Sequence, residues 1–90
     1  MSAAKLRERL QGLTGRTPDL TGRQAEIVAF MLRCLLSGYL PSYREIGEEF
    51  GIGSPNGVAG HIKSLERKEY VECHHQQGYQ LTDKALDLVL

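Results

Sequence analysis

Between Thr21 and Gly51 the chain repeats one local grammar twice. A hydroxyl residue is followed at the third position by glutamine or glutamate, then by apolar residues at helical spacing, then by glycine. Thr21-Gly22-Arg23-Gln24 and Ser42-Tyr43-Arg44-Glu45 are both capping boxes, in which the hydroxyl and the longer side chain satisfy each other's orphan amides. The first predicts a helix whose apolar face is Ile27, Phe30, Met31, Cys34 and Leu35, with Gly38 as a left-handed stop. The second predicts a shorter helix, held between Pro41 and Gly51. It carries Ile46 and Phe50 on one side and Gly47 between them, where the missing Cβ lets another helix cross closely.

A third helix begins after a turn of three residues, with Ser54 as N-cap and Pro55 at the first helical position. Val58, Ile62 and Leu65 recur at i, i+4 and i+7 and must face the core. At ~100° per residue the opposite face is Asn56, Gly60, Lys63 and Arg67, with Gly57 near its edge. Each glycine costs a helix about 1 kcal/mol relative to alanine. Neither lies on the apolar stripe, which argues against packing for both and for close approach to something outside; the plain alternative is two tolerated solvent-facing glycines. After Glu69 the period changes to two. Tyr70-Val71-Glu72-Cys73 and Tyr79-Gln80-Leu81-Thr82 read as short strands joined by the turn HHQQG, with Gly78 at the bend. Thr82 then caps a last helix, DKALDLVL. Its apolar stripe of Ala85, Leu86, Val89 and Leu90 is widened by Leu88 beyond the needs of an edge helix. The division is an N-terminal arm or short helix over 1–19, a core domain over 20–82 and a C-terminal helix over 83–90.

Ninety residues bound this to a single domain with a modest core. No apolar run approaches the ~20 residues that span a bilayer, and the start MSAAKLRERLQGLTGR lacks a secretory apolar block. Cys34 and Cys73 are too few for a disulfide framework, so a cytoplasmic protein with reduced thiols is expected. Net charge is zero, which removes a general positive field as a source of nucleic-acid affinity. The distribution is uneven: residues 1–41 hold six basic and three acidic side chains, residues 42–90 five and eight. In the arm, Leu6, Leu10 and Leu13 share a helical face. They predict an edge-packed helix or, more sharply, a dimer-forming helix, while Lys5, Arg7, Arg9 and Arg16 suit a basic arm along a phosphate backbone.

Three helices, the last two joined by a short turn and followed by a two-stranded hairpin, make a mainly α winged helix-turn-helix with a short C-terminal helix. In that unit the third helix enters the DNA major groove and the second points its N-terminus at a phosphate. Asn56 can offer a bidentate amide to adenine, Lys63 and Arg67 can reach guanine edges or phosphates, and Ala59 can touch a thymine methyl. Small residues at 57, 59 and 60 let the backbone lie deep against base edges.

SPNGVAGHIKSLERKEYVE, with LTGRQAEIVAFM and LPSYREIGEEFGI upstream, resembles the N-terminal DNA-binding domain of the LexA repressor family over about residues 20–75. The resemblance implies base contact by Ser54, Asn56, Gly57, Ala59 and Gly60. It implies phosphate contact by Ser42, Tyr43 and Arg44, and a minor-groove approach by His74, His75, Gln76 and Gln77. The family usually carries two glutamates where Ala59 and Gly60 stand, so its usual operator is not expected, and Glu69 replaces its customary glycine, which is expected to alter the turn into the hairpin. With Leu90 as the last residue, a stand-alone domain without the family's self-cleaving protease is expected; YQLTDKALDLVL instead resembles the ending of MarR-like regulators.

One winged helix covers a half-site, so a homodimer on a two-fold symmetric site, or a heterologous partner, is expected, through Leu86, Leu88, Val89 and Leu90 or through Leu6, Leu10 and Leu13. The rival reading is a winged-helix protein-interaction module, favoured by zero net charge and the acidic run Glu45, Glu48 and Glu49. An enzyme is not expected, since Ser54 is occupied as a cap. Nor is a metal: neighbouring strand residues point to opposite faces, so Cys73 and His75 alone could share an ion, and structural zinc needs four ligands. No cofactor, small-molecule ligand or membrane contact is implied.

Overall fold

The computed structural model describes residues 17–74 and 78–89. Helices α1 (Gly22–Leu36), α2 (Tyr43–Phe50) and α3 (Pro55–Arg67) are followed by strands β1 (Val71–His74) and β2 (Gly78–Leu81) and by α4 (Asp83–Leu86). This is the winged helix-turn-helix. Both capping boxes form: Thr21 and Ser42 accept from the amides of Gln24 and Glu45 at 3.1 Å, and the two long side chains reach back. Ser54 caps α3 by accepting from the Gly57 amide, also at 3.1 Å.

The core is one cluster drawn from every element. Val58, Ile62 and Leu65 of α3 are at most 1% exposed and pack with Ile27, Val28, Met31 and Leu32 of α1 and with Ile46 of α2. The α1 stripe differs from expectation at its end. Leu35 is 36% exposed although it shares a face with Val28, seven positions earlier. Its exposure therefore comes from its place in the last turn, not from helix rotation. Gly47 does what its position promised: a Cβ there would stand 3.0 Å from the Ile52 carbonyl oxygen and 3.5 Å from a Val58 methyl. At the other edge of this contact the Phe30 and Phe50 rings meet edge to face at 5.7 Å.

α3 ends in a Schellman motif. The Tyr70 amide donates to the Leu65 carbonyl at 2.9 Å and the Glu69 amide to Glu66 at 3.0 Å, with Glu69 in the left-handed region at φ 68°. The same motif closes α1 around Gly38, φ 105°. Glu69 thus keeps the turn a glycine would make and bears the Cβ strain of about 1–2 kcal/mol. Thr82 helps hold it there, its hydroxyl donating to the Glu69 carbonyl at 2.6 Å. The strands pair antiparallel, Val71 with Leu81 and His74 with Gly78, one residue later on β1 and one earlier on β2 than the sequence predicted.

The C-terminal helix is shorter than DKALDLVL. After Leu86 the amides of Leu88 and Val89 bond three residues back, to Ala85 and Leu86, which tightens the chain. This turns Leu88 and Val89 into the core, at 9% and 6% exposure. The expected surface patch is corrected accordingly: two of its four members serve the protein's own interior, and Leu90 lies outside the described residues. A clamp closes the same end. Tyr70 donates to Asp19 at 2.9 Å, and Lys84 reaches Asp19 at 3.2 Å while lying 4.3 Å from the Tyr70 ring centre. These partners lower the Asp19 carboxyl below its ordinary range, the Tyr70 hydrogen bond contributing most. Burial, then Asp19, pushes the Tyr70 phenol up to about 12. No helix among the described residues is long and apolar enough to cross a membrane.

Candidate nucleic-acid interface

The outward face of α3 is as the spacing required. Asn56, Gly60, Lys63 and Arg67 are all exposed, and the three side chains have no hydrogen-bond or ion-pair partner among the described residues. An amide and two cations held on a rigid helix without internal partners can donate to base edges and phosphates with no internal bond to break. Ala59 is half-buried beside them, and a Cβ at Gly60 would meet nothing within 4 Å.

Gly57 is different, and here the sequence reading is corrected. A Cβ on Gly57 would stand 2.7 Å from the Cγ2 methyl of Ile52 and 3.7 Å from the Ser54 hydroxyl. Packing, set aside for both glycines, holds for this one. The turn between α2 and α3 folds Ile52 over the first turn of α3, and any Cβ there must push the Ile52 methyl aside. The helical period could not reveal this, because the obstructing atom belongs to the turn.

The entry to α2 lies close to both α3 and the wing. Tyr43 and Arg44 border one open groove with Gly51, Ile52, Gly53 and Ser54; Ser42 and Tyr43 border a second with Gly78, Tyr79 and Gln80. Ser42 is occupied as the cap acceptor but keeps its hydroxyl hydrogen for donation. The Arg44 side chain is 89% exposed and pairs with Glu48 at 3.2 Å, a screened surface contact that a phosphate can displace. Tyr43 is half-buried, its ring centre 6.0 Å from that of Tyr79, and burial raises its phenol. The Tyr79 hydroxyl donates to the Pro41 carbonyl at 2.6 Å in a buried bond that ties β2 to the start of α2. Burial first, then neighbouring thiol, phenol and carboxyl groups, pushes the Tyr79 phenol far upward, so it stays a donor.

Of the four wing residues, His74 is described, while His75, Gln76 and Gln77 lie outside the described residues. The His74 Nε2 is shielded, makes no hydrogen bond and lies 3.7 Å from the Glu72 carboxylate. Beside it the Cys73 thiol is pushed up by burial and by Glu66, whose carboxylate accepts from the Cys73 amide at 3.2 Å. A thiol held protonated in this way is a poor nucleophile. Glu66, Glu69, Glu72 and Asp83 line the adjoining cleft and give it an acidic character. No group of three metal-ligating side chains clusters among the described residues.

One positioning residue escaped the sequence reading. Gln24 is 6% exposed and, besides its capping role, donates to the Ser64 hydroxyl at 2.8 Å and accepts from Lys68 at 2.8 Å. It links the start of α1 to the last turns of α3 and so fixes the pitch of the outward face. Its sequence signal was the capping box alone, and a partner forty residues away has none.

Residues 17–78 match the family described as LexA DNA binding domain. The LexA repressor of Myxococcus xanthus (strain DK1622) is 45% identical over 64 residues, covering 70% of this chain and 29% of that protein. The LexA repressor of Pseudomonas chlororaphis is 52% identical over 54 residues, 59% of this chain and 27% of its own length. LexA repressor 1 of Pseudomonas putida is 50% identical over the same number of residues. The chain thus spans under a third of the length of these relatives.

Proposed function

This chain belongs to the LexA DNA-binding domain family, and on that premise we propose that it binds double-stranded DNA sequence-specifically as a transcriptional repressor. In this reading it acts in the cytoplasm, without catalysis. α3 lies in the major groove, with Asn56 reading a base and Lys63 and Arg67 reaching guanine edges or phosphates. Ser54, Gly57, Ala59 and Gly60 bring the backbone close to the bases. Ser42, Tyr43 and Arg44 meet a phosphate at the N-terminus of α2, where amides and helix dipole favour an anion. His74, with His75, Gln76 and Gln77, approaches the minor groove. Two copies occupy a two-fold symmetric site.

The observation that carries this reading is the set of exposed, unpartnered polar side chains on α3 around Gly60, opposite a stripe sealed in the core. A protein-interaction module is not favoured, because it gives that set no task. Selection of bound sequences from a random duplex pool tests the proposal. Asn56→Ala should relax one base preference by about 1–3 kcal/mol. Arg44→Ala should weaken all sequences alike and reduce the salt slope by about one. An unchanged selected motif with Asn56→Ala would remove the assignment of the reading face.

A further inference from the structure

On its inner side α3 is held by apolar packing, and toward its C-terminal end by one buried polar side chain. The Gln24 Nε2 donates to the Ser64 hydroxyl at 2.8 Å, and its Oε1 accepts from the Lys68 ammonium, also at 2.8 Å. The same oxygen accepts from the Thr21 amide at 3.2 Å. An ammonium and a backbone amide can only donate, so these two partners fix which end of the carboxamide is oxygen.

Ser64 and Lys68 stand one turn apart, and each directly follows one of the outward cations, Lys63 and Arg67. A grip at two points a turn apart resists rotation of α3 about its axis and sliding along it. Apolar packing resists these motions less, because a core loses uniqueness of arrangement before it loses stability. A satisfied buried polar network specifies one arrangement. The motion matters at the outward face. At a side-chain radius of about 5–6 Å, a rotation of roughly 10° moves an outward group by about 1 Å. That exceeds the roughly 0.5 Å within which a binding constellation must be held.

We infer that Gln24 is a positioning residue for base discrimination: by gripping Ser64 and Lys68 it sets the rotation at which Asn56, Lys63 and Arg67 meet the bases. This rests on the DNA-binding reading above. Gln24 acts through α3 and not by contact with the duplex. Its loss therefore falls on the choice between sequences, since non-specific binding depends on phosphate charge and not on base register.

The test compares affinity for a duplex selected from a random pool with affinity for a scrambled duplex of the same composition, at one salt concentration. Gln24→Met keeps the side-chain length and removes both hydrogen-bonding ends. It should lower the ratio of the two affinities about ten-fold, through the selected duplex alone. A loss of folding would instead lower both affinities together. Further variants separate the grip from the cap. Thr21→Ala removes the hydroxyl acceptor of the capping box and leaves the grip, so it should lower the melting temperature without changing the ratio. Ser64→Ala spares the cap, removes one point of the grip and should lower the ratio. Gln24→Glu can accept from Ser64, Lys68 and the Thr21 amide alike, and should restore it. A ratio unchanged in both Gln24→Met and Ser64→Ala, a ratio lowered as far by Thr21→Ala, or no rescue by Gln24→Glu overturns the inference. Absence of any preferred duplex for the unaltered chain overturns the DNA-binding reading beneath it.

Discussion

The two faces of α3 answer to different demands. Inward, Val58, Ile62 and Leu65 are sealed at 0–1% exposure and secure the helix to the rest of the domain. Outward, Asn56, Lys63 and Arg67 have no hydrogen-bond or ion-pair partner among the described residues. Gly57 and Gly60 show that solvent exposure does not mark the boundary between these demands. Both are exposed, yet one is required by an Ile52 methyl and the other by nothing internal. A bare position becomes a functional candidate only after the atoms around its absent Cβ have been counted.

The contrast can be broken in order of effect size. Ile62→Ala should lower unfolding free energy by about 2–5 kcal/mol, a large part of what a domain of this size possesses, as read by denaturant titration. A loss below about 1 kcal/mol would mean the inward stripe does not hold the helix. The glycine pair comes next, and its two members should move in opposite directions. Gly57→Ala forces Ile52 aside and should cost a net of about 1 kcal/mol despite better helix propensity. Gly60→Ala should gain up to about 1 kcal/mol in stability while weakening DNA binding. Equal shifts in thermal melts would erase the distinction drawn between them.

The last effect emerges only at alkaline pH. The Tyr70 phenol is higher in the folded state, at about 12 against an ordinary 10. Its contribution to stability is therefore complete below pH 10 and is lost as pH climbs through the folded value. Unfolding followed across that window should show the decline. Asp19→Asn removes the carboxylate charge and should reduce the part owed to Asp19 while leaving the part owed to burial. Because Tyr70 follows directly on the inward side of α3, the decline should be in folding and not in base preference.

What was legible in the sequence was local. Caps, stops and the α3 stripe depend on residues within a turn or two of one another, and each was found where the spacing put it. The departures came from contacts with no local period. Leu35 is exposed in the last turn of α1 although it shares the face of Val28. Leu88 and Val89 turn inward through bonds three residues back that no hydrophobic pattern announces. Gln24 meets Ser64, and Tyr79 meets Pro41, across 40 and 38 positions. The outward side chains were legible as a set because a helix fixes which residues share a face; the internal need for Gly57 was not, because a turn residue creates it.

The Tyr79 bond to the Pro41 carbonyl has a mechanical corollary. It joins β2 to the entry of α2 in the free protein, so in the proposed DNA complex the two meet the sugar–phosphate rails as the fixed jaws of a caliper. The gap between the jaws is set in the free protein, which spares the ordering loss that flexible jaws incur on closing. A duplex whose groove width does not suit that gauge must do the bending itself, and sequences that bend easily are thereby preferred at positions no side chain touches.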